Sequence, residues 1–133
     1  MGIYLSLLPL RKKEDLKESC VLCYERIEFD QDYVIFGQLH DFSEWITKEG
    51  MDSKIPQKPH IIPKPIPLNL WLNLYDDDGL EKTREDRYGD ELTFVFAKQL
   101  KHLKIRGTSA KNKAIKAFIK LLPNDTPIIL FWH

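Results

Sequence analysis

Alternation of apolar and polar residues predicts β-strands near both ends of the chain and in its middle. Residues 3–8 place one isoleucine and two leucines on the same face, and residues 68–75 alternate four leucines with polar and aromatic side chains. The composition of residues 22–29 favours a strand, although the spacing of apolar residues in this part of the chain also fits a helix. Residues 127–132 are an apolar run that predicts a last strand. We expect the first and last strands to lie near each other in one sheet.

Apolar residues three and four positions apart predict a first helix in the acidic part of the chain. It follows a capping Asp30 or Asp32 and runs to about Phe42. Residues 43–50 then predict a second capped turn that ends at Gly50. The inward-facing residues of the helix are Tyr33, Phe36, Leu39 and His40, and those of the turn are Trp45 and Ile46.

The same spacing predicts two further helices in the last third of the chain. One begins at Glu91 and is broken by Gly107, and the other is capped by Ser109 and stopped by Pro123. The inward-facing residues are Leu92, Val95, Phe96, Gln99, Leu100 and Leu103 in one helix, and Ala114, Ile115, Phe118, Ile119 and Leu122 in the other.

A proline-rich segment separates the two halves of this pattern. Residues 51–67 contain five of the eight prolines, at positions 56, 59, 63, 65 and 67. Proline lacks a backbone donor and fixes φ, so the segment predicts a stiff, extended connection with neither helix nor central strand. Residues 80–90 predict a charged loop. Together these elements predict a single α+β domain over residues 1–133, with a small mixed or antiparallel sheet covered on one face by about three helices.

The charges are divided along the chain although the net charge is zero. Residues 1–91 carry 12 Lys and Arg against 19 Asp and Glu, and residues 92–133 carry 8 against Asp125 alone, so the two parts have net charges of −7 and +7. Such a division predicts a polarised surface whose partners are anionic or complementary in charge. Composition alone is that of a globular protein, with 43% hydrophobic residues.

The beginning of the chain predicts a cytoplasmic protein. The apolar run in residues 1–13 is too short for a signal sequence or a membrane span. Gly2 with Ser6 matches the bare N-myristoylation pattern, but a buried strand is the favoured interpretation. Cys20 and Cys23 are the only cysteines, and so close a pair predicts packed thiols in a reducing compartment.

Residues 104–113 predict a site for a phosphate or a carboxylate. A glycine turn followed by hydroxyl groups at a helix N-terminus offers backbone N–H groups, and nearby basic side chains add positive charge. The alternative is an ordinary capped helix with solvated lysines. A helix-turn-helix reader of DNA is disfavoured, because an exposed face of lysine suits phosphate contacts better than base readout. The candidate residues are Arg106, Gly107, Thr108, Ser109, Lys111 and Lys113.

A second candidate surface would contact a protein partner. Isoleucines on a stiff proline arm favour docking into a groove at low entropic cost. The alternative is that these side chains fold back onto the core. The candidate residues are Pro59, Ile61, Ile62 and Pro63 on the arm, with Lys98, Lys101, Lys116 and Lys120 on the basic helices.

Neither a catalytic arrangement nor a metal or cofactor site is predicted. The CVLC pair is half of a zinc site without a second pair of ligands. Residues 76–85 follow part of a calcium-loop spacing, but Leu74 stands where the first acidic ligand must be, so a strand-ending turn is favoured. No serine, cysteine or histidine lies in a nucleophile motif.

Two segments of the chain, MGIYL and DQDYVIFGQLHDF, resemble small phage-encoded and prophage-encoded proteins of unassigned function. Tyr33, Phe36 and Leu39 match the aromatic-rich helix of these proteins, whereas Gln31 and Asp32 depart from their Arg-Asn pair. The resemblance implies a viral accessory protein. The function expected is therefore non-enzymatic binding of a host macromolecule, such as a defence component. The alternative is binding of nucleic acid or of a phosphorylated small molecule by the basic helices.

Overall fold

The computed structural model describes residues 4–12, 27–28, 33–35, 39–40, 46–51, 59–68, 72–76, 79–105 and 110–133. Eleven strands and two helices are found in these residues. The strands are β1 Leu5–Lys12, β2 Ile27–Glu28, β3 Tyr33–Ile35, β4 Leu39–His40, β5 Thr47–Met51, β6 Pro59–Ile61, β7 Ile66–Pro67, β8 Leu72–Asp76, β9 Gly79–Thr83, β10 Thr93–Phe96 and β11 Pro127–Trp132, and the helices are α1 Ala97–Lys101 and α2 Ala110–Lys120.

The first and last strands pair with each other at the centre of the main sheet. Leu5 lies opposite Trp132 and Pro9 opposite Ile128 in an antiparallel register. The sheet has the order β3-β1-β11-β10-β7, and β4 also pairs with β1. Strands β2, β8 and β9 form a second sheet, and β5 pairs with β6. Every pairing is antiparallel, and the expected proximity of the terminal strands is confirmed.

The central strands bury side chains on both faces of the sheet. One face packs against α1 and α2, and the opposite face packs against the segments that flank β7 and β10. Full burial of one leucine side chain contributes about 1.5–3 kcal/mol to the free energy of folding. A strand that is apolar on both faces therefore contributes strongly to stability. The helix-side core includes Leu5, Leu7, Ile128, Leu130 and Trp132, and the opposite core includes Leu8, Leu10, Leu68, Leu92, Ile129 and Phe131.

The first predicted helix is wrong, because residues of this segment form strands. Tyr33 pairs with Lys12, and Leu39 pairs with Leu7, so β3 and β4 extend the sheet along the free edge of β1. Residues 47–50 of the capped turn predicted over residues 43–50 belong to β5, which runs antiparallel to β6, whereas residues 43–45 lie outside the described residues. Ile46 is buried, as predicted. Pairing with β1, which is distant in the sequence, outweighs the helical spacing of the apolar residues within the segment of the first predicted helix.

The second predicted helix is only partly right, since its first turn is a strand. Residues 93–96 are β10, which pairs with β11, and α1 begins at Ala97. The side chain of Gln99 accepts a hydrogen bond from the Phe96 N–H at 2.8 Å, which satisfies a backbone donor where the helix starts. With α2 the described residues therefore hold two helices, and the expectation of about three on one face is wrong.

A tight hairpin replaces part of the charged loop that was predicted over residues 80–90. β9 occupies its beginning, and Asp86 closes the turn that follows. The Asp86 carboxylate accepts hydrogen bonds from the N–H groups of Tyr88 at 2.8 Å and Asp90 at 3.2 Å. Gly89 takes a φ of 83°, a left-handed conformation that glycine adopts without strain. A buried carboxylate is thus used to hold a turn.

Among the described residues, strand β7 forms one end of the main sheet, within the segment predicted as a stiff, extended connection. Ile66 pairs with Phe94, and the Leu68 N–H donates to the Leu92 carbonyl at 2.8 Å. Backbone N–H groups alternate in direction along a strand, so the nitrogens of Pro65 and Pro67 point away from β10. The outward side of this strand therefore presents carbonyl acceptors without donors, a known protection against pairing between edges.

Replacing Pro65 and Pro67 by alanine restores two backbone donors, one just before β7 and one within it. We expect the Pro65→Ala/Pro67→Ala variant to self-associate more than the parent protein, because its edge can then pair with another strand. Sedimentation velocity over a concentration series measures the difference. The matched control is Pro123→Ala, an exposed proline after α2 that adds no donor to a sheet edge. Equal sedimentation of the folded double variant and the parent would contradict the expectation.

Candidate interaction surfaces

The segment that leads into β7, residues 62–67, is an exposed arm whose two ends are anchored. Ile61 and Leu68 are buried in the two cores on either side of it. The Ile62 N–H donates to the Ile46 carbonyl at 2.8 Å, which fixes the beginning of the segment. We call residues 62–67 the edge arm, since the segment ends in the edge strand β7.

Most side chains of the edge arm are exposed. Ile62 is 37% exposed and Ile66 is 38% exposed, and Lys64 and Pro67 are also exposed. Pro63 and Pro65 are half-buried. The edge arm therefore presents two isoleucines, one lysine and one proline to solvent in an anchored segment.

The partner-binding residues that the sequence predicts on the arm differ in their exposure in the structure. Ile62 is exposed and Pro63 is half-buried, as a contact surface requires. Ile61 is buried in the helix-side core, in line with the alternative that such side chains fold back onto the core. Pro59 pairs with Met51 at the start of β6. Ile66 was missed by sequence analysis, although its place between Pro65 and Pro67 marks it as part of the same arm.

Lysines of α1, of the residues just after it and of α2 form a second surface, which we call the lysine face. The two helices pack beside each other over the helix-side core, so their exposed lysines share one layer of the molecule. The acidic hairpin at residues 84–92 borders this layer, because Tyr88 packs against the same core. The exposed lysines of the face are Lys98, Lys104, Lys111, Lys113 and Lys120.

Lys101 and Lys116 hold the two helices together. Lys101 Nζ of α1 donates to the Leu122 carbonyl at 2.5 Å and to Asn124 Oδ1 at 2.8 Å, just beyond the end of α2. Lys116 Nζ of α2 donates in turn to the Leu103 carbonyl, just beyond the end of α1. Carbonyl groups after a helix end lack helical partners, and each ammonium group satisfies some of them. These two predicted partner-binding lysines are therefore engaged within the fold.

Only part of the predicted phosphate site lies in the described residues. Lys111 and Lys113 are exposed in the first turn of α2. Residues 106–109, which include Arg106, Gly107, Thr108 and Ser109, lie outside the described residues. The CVLC pair at Cys20 and Cys23 also lies outside them.

The buried face of α2 differs in one respect from the stripe of inward-facing residues that the sequence predicts. Ile115, Ile119 and Leu122 are buried as expected, but Ala114 is exposed and Asn112 is buried in its place. The buried side chains follow the spacing of three and four residues that an amphipathic helix requires. Directly after the helix, Leu121 is 86% exposed.

Ser6 and His133 form a hydrogen-bonded pair across the sheet. Ser6 Oγ lies 2.7 Å from His133 Nε2, and the His133 ring lies near those of Tyr4 and Phe131, with centroids 6.0 and 5.8 Å away. A serine beside a histidine is the arrangement of an activated nucleophile, but this serine is fully buried and offers no access to a substrate. The pair fastens the end of β11 to β1. Sequence patterns do not reveal it, because the residues stand 127 positions apart.

No helix among the described residues is long and apolar enough to cross a membrane. The described part of the chain also contains no group of three or more His, Cys, Asp or Glu side chains that could hold a metal ion. Asp76 pairs with Gly79 where β8 turns into β9, in agreement with the strand-ending turn favoured for the calcium-like segment. No family model, curated protein or solved structure matches the chain.

Replacement of Lys101 by methionine keeps most of the aliphatic stem and removes the ammonium group that bridges α1 to the end of α2. We expect Lys101→Met to lower the free energy of unfolding by about 1 kcal/mol, the usual contribution of a partly exposed hydrogen bond. Chemical denaturation measures this loss. Lys120→Met is the control, because Lys120 is exposed on the same helix pair. An equal effect of the two substitutions would contradict the bridging role of Lys101.

Proposed function

We propose that the protein is a non-enzymatic accessory protein that binds another protein through the edge arm. The observation that carries this proposal is the exposure of Ile62 and Ile66 on a segment whose flanking residues are buried. A partner that covers two isoleucines removes apolar surface from water, which is the main favourable contribution to most protein associations. The arm is already anchored, so little conformational entropy is lost when it binds.

The resemblance to small phage-encoded proteins supports a host protein as the partner, for example a component of host defence, in the cytoplasm. Residues 33–35 and 39–40 of the segment that carries the resemblance are strands instead of the helix that the resemblance implies. The support for a viral role therefore comes only from the resemblance of the sequence. The support for binding comes from the exposed arm and is independent of it.

A second candidate function is binding of nucleic acid or a phosphorylated ligand by the lysine face. Four exposed lysines lie on α1 and α2, Lys104 follows α1, and Asp125 is the only acid in residues 92–133. Lysine is well suited to phosphate contacts without reading the base sequence. Lys101 and Lys116 are occupied by carbonyl groups and are left out of this surface.

The edge-arm proposal is tested by charge substitutions at two exposed hydrophobic sites. We expect Ile62→Asp/Ile66→Asp to abolish the stoichiometric complex with a partner that is photo-cross-linked from position 64 in host cells. The control is Leu121→Asp, which places the same charge on a still more exposed leucine after α2. Circular dichroism establishes that both variants are folded. Loss of the complex in the control alone, or repeated absence of any cross-linked partner, would contradict the proposal.

The lysine-face alternative is tested by the salt dependence of binding to a single-stranded oligonucleotide. Each lysine–phosphate contact contributes about 0.7 to the slope of log K against log salt, so Lys113→Gln/Lys120→Gln should reduce the slope by about 1.4. A gel-shift titration at several salt concentrations measures it. Lys64→Gln on the edge arm is the control and should leave the slope unchanged. No retention of the oligonucleotide at low salt would remove this alternative.

A further inference from the structure

We draw no further inference here: the strongest candidate, the surface patch at the end of α2 where the exposed Leu121 follows the exposed Lys120, carries nothing, because a single leucine beside exposed lysines specifies no partner and nothing in the structure shows what covers it.

Discussion

Pairing of β1 with β11 is the constraint on which the rest of the structure depends. These strands occupy the centre of the main sheet and bury side chains on both faces, so each of the two cores requires them. On one edge of the pair, β3 and β4 add to β1, and on the other edge β10 adds to β11. The helices then cover one face. The Ser6–His133 hydrogen bond fastens the same two strands at one end.

Proline serves both the fold and the proposed contact surface. The main sheet ends at β7, where an ordinary strand would expose a row of unpaired donors. Pro65 and Pro67 remove donors from that row, and the same residues restrict the backbone dihedral angles of the edge arm. Protection of the edge and presentation of Ile62 and Ile66 thus have one physical cause. The lysine face is organised differently, since two of its neighbouring lysines connect the helix ends and the exposed ones remain on the surface.

Sequence patterns predicted the elements that depend on residues close together in the chain. Strand β11 and the buried stripe of α2 were found because each is a strong apolar pattern in a short window. Residues 33–35 and 39–40 lie in a segment with the spacing of a helix, but they pair with β1, which is far away in the sequence, and periodicity carries no information about that pairing. The edge arm was identified as a proline-rich segment, yet which of Ile61 and Ile62 faces the core depends on the bend there. The bonds of Lys101 depend on how α1 meets α2, which the lysine pattern does not contain.

The sequence separation of the two central strands also governs the order in which the molecule can assemble. Leu5 pairs with Trp132, so a growing chain on the ribosome carries an exposed apolar strand until the residues of β11 have been synthesised. Contacts between such distant residues are slow to form, because closing a long loop costs entropy before the contact is gained. During that interval β1 is open to aggregation and to chaperones. A chain that stops before residue 127 would leave this strand without its central partner.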